Sequence, residues 1–284
     1  VITSKTKSFC SGYVEIGDMK FHCWHKHGHG AVDLQDAIAQ SCDVFFYEIA
    51  LKTGINNIAN ISREFGLGLP TGINLPGEKS GLIPDRKWKL DVKKQVWRPG
   101  ETIIAGIGQG YVLATPIQLA LMTARIANGG KKIKPTLLKS PILQASNANS
   151  VKVSEKNLNI IKRAMEKVSL DEFGTGRNFR LGIKGVEMAG KTGTVQVRRI
   201  STKERESEEG VIKNEDRIWE WRDHALYVGY APMDKPRYAI SVIVEHGGSG
   251  SSKAGPIARD IMEATLTDDP TRFIPKNPIK KPLI

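Results

Sequence analysis

Lys191, Thr192, Gly193 and Thr194 stand in a β-rich run, with Gly190 before them and Val195 and Val197 after. A strand carrying an ammonium, a small hydroxyl, a glycine and a second hydroxyl suits the capture of an extended peptide at a sheet edge. The backbone pairs with the peptide, Gly193 permits close approach, and Lys191 with Thr194 can hold a terminal carboxylate. The same residues would also serve as a plain exposed strand, since short motifs recur by chance. A second run of this kind, Lys52, Thr53 and Gly54, follows the apolar face of a helix, where lysine in the last turn and glycine just beyond are ordinary stop signals. It is read as structural. Ser41, Cys42 and Asp43 fall between two helical patterns, where Ser41 could relay a proton and Asp43 could hold hydrogen bonds beside a nucleophile. A pair of helix N-cap residues is the plainer reading, and the two are compatible.

Cys10, Cys23, His29 and Cys42 form the other chemical constellation, with spacing Cys-x12-Cys-x5-His-x12-Cys. Three thiolates and one imidazole are a complete tetrahedral set for a structural zinc. Such a site uses every cysteine in the chain, and it ties residues 1–30, which hold little apolar material, to the start of the helix bearing Ser41 and Asp43. His22, His25 and His27 are alternative ligands, and Trp24 among them predicts that part of the stretch packs inward. A Cys10–Cys23 disulfide with Cys42 buried as a small hydrophobe, or three free thiols, are the other readings of an odd cysteine count.

The elements that must position these residues follow from capping and periodicity. Residues 1–30 read as irregular. Asp33 with Asp36 marks the start of a short helix, a second carries Phe45, Phe46, Ile49 and Ala50 and stops at Gly54, and a third spans 55–65. Residues 71–100, rich in proline, glycine and charge, read as a long loop. Thr115, Pro116 and Gln118 combine an N-cap, a proline at the first helical position and a capping-box partner, opening a helix to Asn128. Ser154 opens another, with Leu158, Ile161, Met165 and Val168 on one face. Beyond it the period shortens: 188–197, 225–230 and 238–245 read as antiparallel strands. A closing helix spans 256–266, and the Pro/Lys-rich end from 267 to 284 reads as a loose tail.

The chain has 284 residues, 40% hydrophobic and 25% charged, enough to bury a sizeable core. Lysine and arginine exceed acidic residues by 12, which favours anionic surroundings such as nucleic acid, anionic lipid or a cell-wall polymer, and the sign alone does not choose among them. The densest basic stretch, 79–98, carries no nucleic-acid module signature and reads as a solvated loop, so nucleic acid is not an expected partner. No apolar run reaches the ~18 residues of a membrane span.

Four segments occur in this order: GHGAVDLQDAIAQSCDVFFY from Gly28, GIGQGYVLATPIQLA from Gly106, AGKTGT from Ala189 and HALYVGYAP from His224. Together they resemble class B penicillin-binding proteins, most like the penicillin-binding protein 2 branch, over residues 1–266. The resemblance implies an α/β (α+β) transpeptidase fold of the penicillin-binding/serine β-lactamase type: an antiparallel sheet flanked by helices, occupying 171–266, beside a mostly helical subdomain at 31–170. It implies a peptidoglycan D,D-transpeptidase that acts on stem peptides through a serine acyl-enzyme and is acylated by β-lactam antibiotics. In the family pattern Ser41 and Asp43 form the second motif and Lys191, Thr192 and Gly193 the third, with the Thr194 N–H in the oxyanion hole and its hydroxyl on the substrate carboxylate. No cofactor is implied for catalysis. The family's Ser-x-x-Lys nucleophile motif is expected upstream of Val1, with the sheet's first strands, which leaves an unpaired sheet edge in this chain. Ser4, Lys5, Thr6 and Lys7 match that pattern by letter but not by register or helical context. The expected location is the periplasmic face of the bacterial inner membrane, with the anchor upstream and cell-elongation membrane proteins as partners. A β-lactamase or D,D-carboxypeptidase relative, and a non-catalytic scaffold module, are the alternatives.

Overall fold

A computed structural model describes residues 2–137, 149–201, 204, 205, 207 and 210–268. The first thirty-odd residues are more ordered than their composition predicts. Strand β1 (Ser8–Cys10) pairs antiparallel with β4 (Gly30–Val32), and β2 (Tyr13–Ile16) forms a hairpin with β3 (Met19–His22). These strands are only three or four residues long, below the length at which alternation is readable. Two glycines explain how so little apolar material can be compact. A Cβ on Gly12 would lie 2.3 Å from the Lys26 carbonyl, and one on Gly28 would lie 2.1 Å from the Cys10 carbonyl. Both have positive φ, +98° and +77°, so only glycine lets these two loops cross backbone to backbone.

Helix α1 (Leu34–Ala39) is capped by Asp33, whose carboxylate accepts from the Gln35 and Asp36 N–H groups. Helix α2 (Asp43–Thr53) ends at Gly54, φ +78°, which also opens α3 (Ile55–Glu64). The Lys52-Thr53-Gly54 run is therefore a helix stop. The predicted loop over 71–100 contains a further helix, α4 (Arg86–Lys93), capped by Asp85 accepting from Trp88 N at 2.8 Å. Its basic surface is not wholly solvated either: Lys89 is 3% exposed and ion-pairs with Glu101 at the start of α5 (Pro99–Gly106). Helix α6 (Pro116–Ala127) carries the expected capping box, with Gln118 Oε1 accepting from Thr115 N at 2.9 Å. The same buried side chain donates to the Leu69 and Ser80 carbonyls at 2.7 and 2.8 Å, fastening the preceding loop.

Helix α7 (Glu155–Leu170) packs on α1 and on β5 (Ala189–Val195). The main sheet has the order β5-β6-β7, with β6 (His224–Ala231) and β7 (Tyr238–Val244) antiparallel throughout, so β5 and β7 are its two edges among the described residues. A π-helical turn (Gly250–Ala254) leads into α8 (Gly255–Thr267). Phe179, Met188, Tyr227, Met262 and Leu266 make the buried cluster beneath the sheet. The predicted loose tail lies outside the described residues after 268. The architecture is mixed, with helices packed against antiparallel sheets.

Candidate active site

The segment joining α1 to α2 turns sharply at Ser41, which sits in the left-handed region at φ +57°. A serine pays for that conformation in sterics, so neighbouring contacts must hold it. Trp24 does so from both sides: its backbone N–H donates to Asp43 Oδ2 at 2.9 Å and its indole N–H donates to the Gln40 carbonyl at 3.1 Å. Part of the stretch around Trp24 packs inward, with Phe21 and Cys23 buried, but Trp24 itself is 59% exposed and works through its two donors.

Across from this turn lies edge strand β5. Lys191 Nζ donates to Ser41 Oγ at 2.8 Å and to the Thr192 carbonyl at 2.8 Å, joining positions 150 residues apart. Because Ser41 Oγ accepts from Lys191, its own hydroxyl hydrogen is free to serve another acceptor, which is what a proton relay needs. Burial lowers Lys191 to about 8, opposed by the Asp43 carboxylate. Burial raises Asp43 to about 7, with the Cys23 thiolate adding and the Trp24 N–H and Lys191 opposing. Perturbed groups of opposite sign facing one another are typical of functional clefts. Thr194 is exposed at the edge, whereas Thr192 is buried with its hydroxyl 2.8 Å from that of Thr175. Ser4, Lys5, Thr6 and Lys7 lie in a turn and coil rather than in a helix, with Ser4 and Lys5 exposed.

Cys10, Cys23, His29 and Cys42 converge, with all four ligand atoms within 4.8 Å of one another. His29 Nδ1 is 3.6 Å from Cys10 Sγ and 3.5 Å from Cys23 Sγ. Zn–S and Zn–N bonds of about 2.3 and 2.0–2.1 Å at tetrahedral angles span an N···S edge of about 3.6 Å. The donor set therefore fits zinc in chemistry, and its two His29–sulfur edges fit in spacing. All three cysteines are buried and unbridged. The Cys23 thiol is pulled well down, chiefly by the Cys42 S–H and also by His29, while Cys42 is pushed up by the same pairing, so the pair favours a thiolate on Cys23 and a thiol on Cys42. His22, His25 and His27 are not part of it; His25 Nδ1 instead meets the Gly28 carbonyl at 2.7 Å.

Three contributors had no readable role in the sequence. Gln109, in the turn after α5, donates from Nε2 to the Thr194 carbonyl at 3.0 Å. Thr175 bonds through its N–H to the Ala39 carbonyl at 3.1 Å, and its own carbonyl accepts from Ser251 Oγ at 2.6 Å. Trp24 is the third. The only signal for the first two is a polar residue bracketed by glycines, Gly108 and Gly110 or Gly174 and Gly176, which marks a tight turn without saying what it faces.

The family model described as the penicillin binding protein transpeptidase domain matches residues 1–263. A curated relative, peptidoglycan D,D-transpeptidase MrdA of Haemophilus influenzae, is 38% identical over 279 residues, covering 94% of this chain and 41% of that protein. The solved complex of penicillin-binding protein PBP2 with MreC from Helicobacter pylori superposes with TM-score 0.81 at 35% identity, covering 93% of this chain and 45% of that one. Pseudomonas aeruginosa PBP2 in complex with WCK 5153 gives TM-score 0.80 at 37% identity, covering 94% and 55%. The chain thus spans about two fifths of the length of the curated relative.

Proposed function

The chain belongs to the penicillin-binding protein transpeptidase domain family, and from that premise we propose that it carries the substrate-binding and proton-relay side of a peptidoglycan D,D-transpeptidase used in cell elongation. The observation that carries the reading is the Lys191–Ser41 hydrogen bond beside an open strand edge. It joins the two motifs that such a reaction needs, a cation for the donor's terminal carboxylate and a hydroxyl that can pass a proton.

In this reading the donor stem peptide adds to β5, with its terminal carboxylate held by Lys191 and the Thr192–Thr194 run, and its scissile carbonyl on the Thr194 N–H. A serine from a Ser-x-x-Lys helix outside these residues attacks the penultimate D-alanine carbonyl. The C–N bond breaks, the terminal D-alanine leaves as an amine after taking a proton by way of Ser41, and the acyl group stays on the serine. An amine of a neighbouring stem peptide then takes the acyl group and restores the serine. Asp43 keeps Ser41 in register through Trp24 and tempers the charge on Lys191. β-Lactams acylate the same serine. No cofactor takes part in these steps. Zinc held by Cys10, Cys23, His29 and Cys42 would have a structural role, fixing the Trp24 segment against the Ser41 turn. By analogy with the PBP2–MreC complex, a membrane protein of the elongation machinery is the proposed partner, and the periplasmic face of the inner membrane the proposed location.

The test is to incubate the protein extended upstream through its Ser-x-x-Lys motif with a donor peptide ending in D-Ala-D-Ala and an amine acceptor. Release of D-alanine with formation of the new amide supports the reading. D-alanine release without cross-linking favours a carboxypeptidase, β-lactam hydrolysis alone a β-lactamase, and neither a non-catalytic module.

A further inference from the structure

Gln109 reaches the cleft from the side opposite β5. It lies between Gly108 and Gly110, both at positive φ of +76° and +75°, in the turn that ends α5. That helix is fixed by buried Ile103 and Ala105, and its last residue abuts α2 so closely that a Cβ on Gly106 would lie 2.4 Å from Ala50 Cβ. The turn therefore moves with α2, the helix that Asp43 begins, while its carboxamide bonds to Thr194 on β5 at 3.0 Å.

The position of that bond gives it a meaning. In an antiparallel ladder a residue points its N–H and C=O to the same side, either both to its neighbour or both outward. Among the described residues β5 has a strand on one side only. The Thr194 carbonyl met by Gln109 points out of the sheet, and the Thr194 N–H points out with it. A peptide that places its scissile carbonyl on that N–H must offer the N–H of the same penultimate residue to the Thr194 carbonyl, because residues directly opposite exchange both bonds. The acceptor it needs is the one Gln109 occupies.

We propose that Gln109 is a latch on the acyl-donor site, competing with the donor peptide's penultimate amide for the Thr194 carbonyl and so setting the affinity for donors. This rests on the donor-peptide reading above. The latch bridges both sides of the cleft when it is empty, and opening it exposes the outward-facing N–H and C=O of Thr194 together. One neutral hydrogen bond with a net worth of about 0.5–1.5 kcal/mol corresponds to roughly two- to tenfold in affinity.

The experiment is reversible binding of an N-acylated peptide ending in D-Ala-D-Ala to this chain, which contains Ser41, Lys191, Thr194 and Gln109 and needs no nucleophile to bind. Calorimetry compares the unaltered chain with Gln109→Ala and Gln109→Asn, the second keeping a carboxamide one methylene too short to reach. Circular dichroism and melting temperature check that both variants remain folded. Both should bind the peptide about two- to tenfold more tightly, and in the unaltered chain the Gln109 side-chain amide resonances should shift as peptide saturates. Equal or weaker binding by both folded variants, or Gln109 resonances that stay in place at saturation, overturns the latch alone. No binding by any of the three chains overturns the donor-peptide reading and the latch with it.

Discussion

The two sides of the cleft hold opposite ends of one hydrogen bond with different materials. Lys191 rides on a strand backed by an apolar cluster in which Phe179, Tyr227, Met188, Met262 and Leu266 are at most 2% exposed. Ser41 sits in a left-handed turn braced by Trp24, next to a core in which Cys10, Cys23 and Cys42 converge beside Phe21, Val32, Phe45, Tyr47 and Ile103. The first side is stable by burial, which is diffuse and tolerant of single changes. The second has buried residues of its own, but the Ser41 turn is held by a few directional contacts and the short strands beside it meet at the convergent sulfurs. Perturbations should therefore separate the two sides.

The largest separation should come from metal. The purified chain should contain one zinc with all three cysteines unreactive to thiol reagents, and a chelator should release both together. Structural zinc is worth roughly 10–16 kcal/mol in small finger peptides, so chelation or Cys23→Ser should abolish amide protection across β1 to β4 while β6 keeps its own. A metal-free, folded chain with a disulfide between any two of these cysteines would remove the premise of the comparison. Next in size, in the protein extended through its nucleophile motif, Lys191→Ala should slow acylation by a fluorescent penicillin about 10²–10³-fold, the usual cost of one positioned electrostatic group. Lys52→Ala should be nearly silent, and equal losses at both would mean that the wrong Lys-Thr-Gly run had been given the chemistry.

The contrast between the two sides also explains what could be read in advance. Strands β5 to β7 and helices α6 and α7 announce themselves through β-branched runs, the Thr115 capping box and the Ser154 cap, because their stability comes from periodic burial. The Ser41 side is set by glycine crossings at Gly12 and Gly28 and by convergent sulfurs, none of which has a period, so β1 to β4 passed as irregular although the four metal-site residues were legible from their types. Helix α4 was hidden for another reason: Arg86, Lys87, Lys89 and Lys93 fill half of its eight residues, and the pairings of Lys89 with Glu101 and of Lys87 with Asp91 make that composition tolerable. Gln109 and Thr175 act across the chain and leave no local trace.

Smaller effects sharpen the comparison. Lys191, lowered to about 8 by burial with Asp43 facing it, carries its charge below that pH and loses it above. Binding of a carboxylate-ended peptide should thus weaken as pH rises past about 8, by up to about tenfold per unit, and titration calorimetry from pH 6 to pH 10, roughly spanning the transition, would show it; binding that strengthens over that range has the opposite sign. Smallest is Trp24→Phe, which removes the indole donor to Gln40 while keeping a ring. At an exposed position the loss should be about 0.5 kcal/mol, read in melting temperature, with faster exchange confined to the Ser41 side. Loss of protection in β6 instead would mean that the two sides are not separately held.

In the proposed reaction Ser41 passes a proton and another serine attacks. Mass spectrometry of the penicillin adduct, formed on the protein extended upstream and mapped by peptide, tests it most directly. The acyl group should sit on a serine of a Ser-x-x-Lys motif outside these 284 residues, and Ser41→Ala should still be labelled there, only more slowly. An adduct on Ser41 or Ser4 would contradict it.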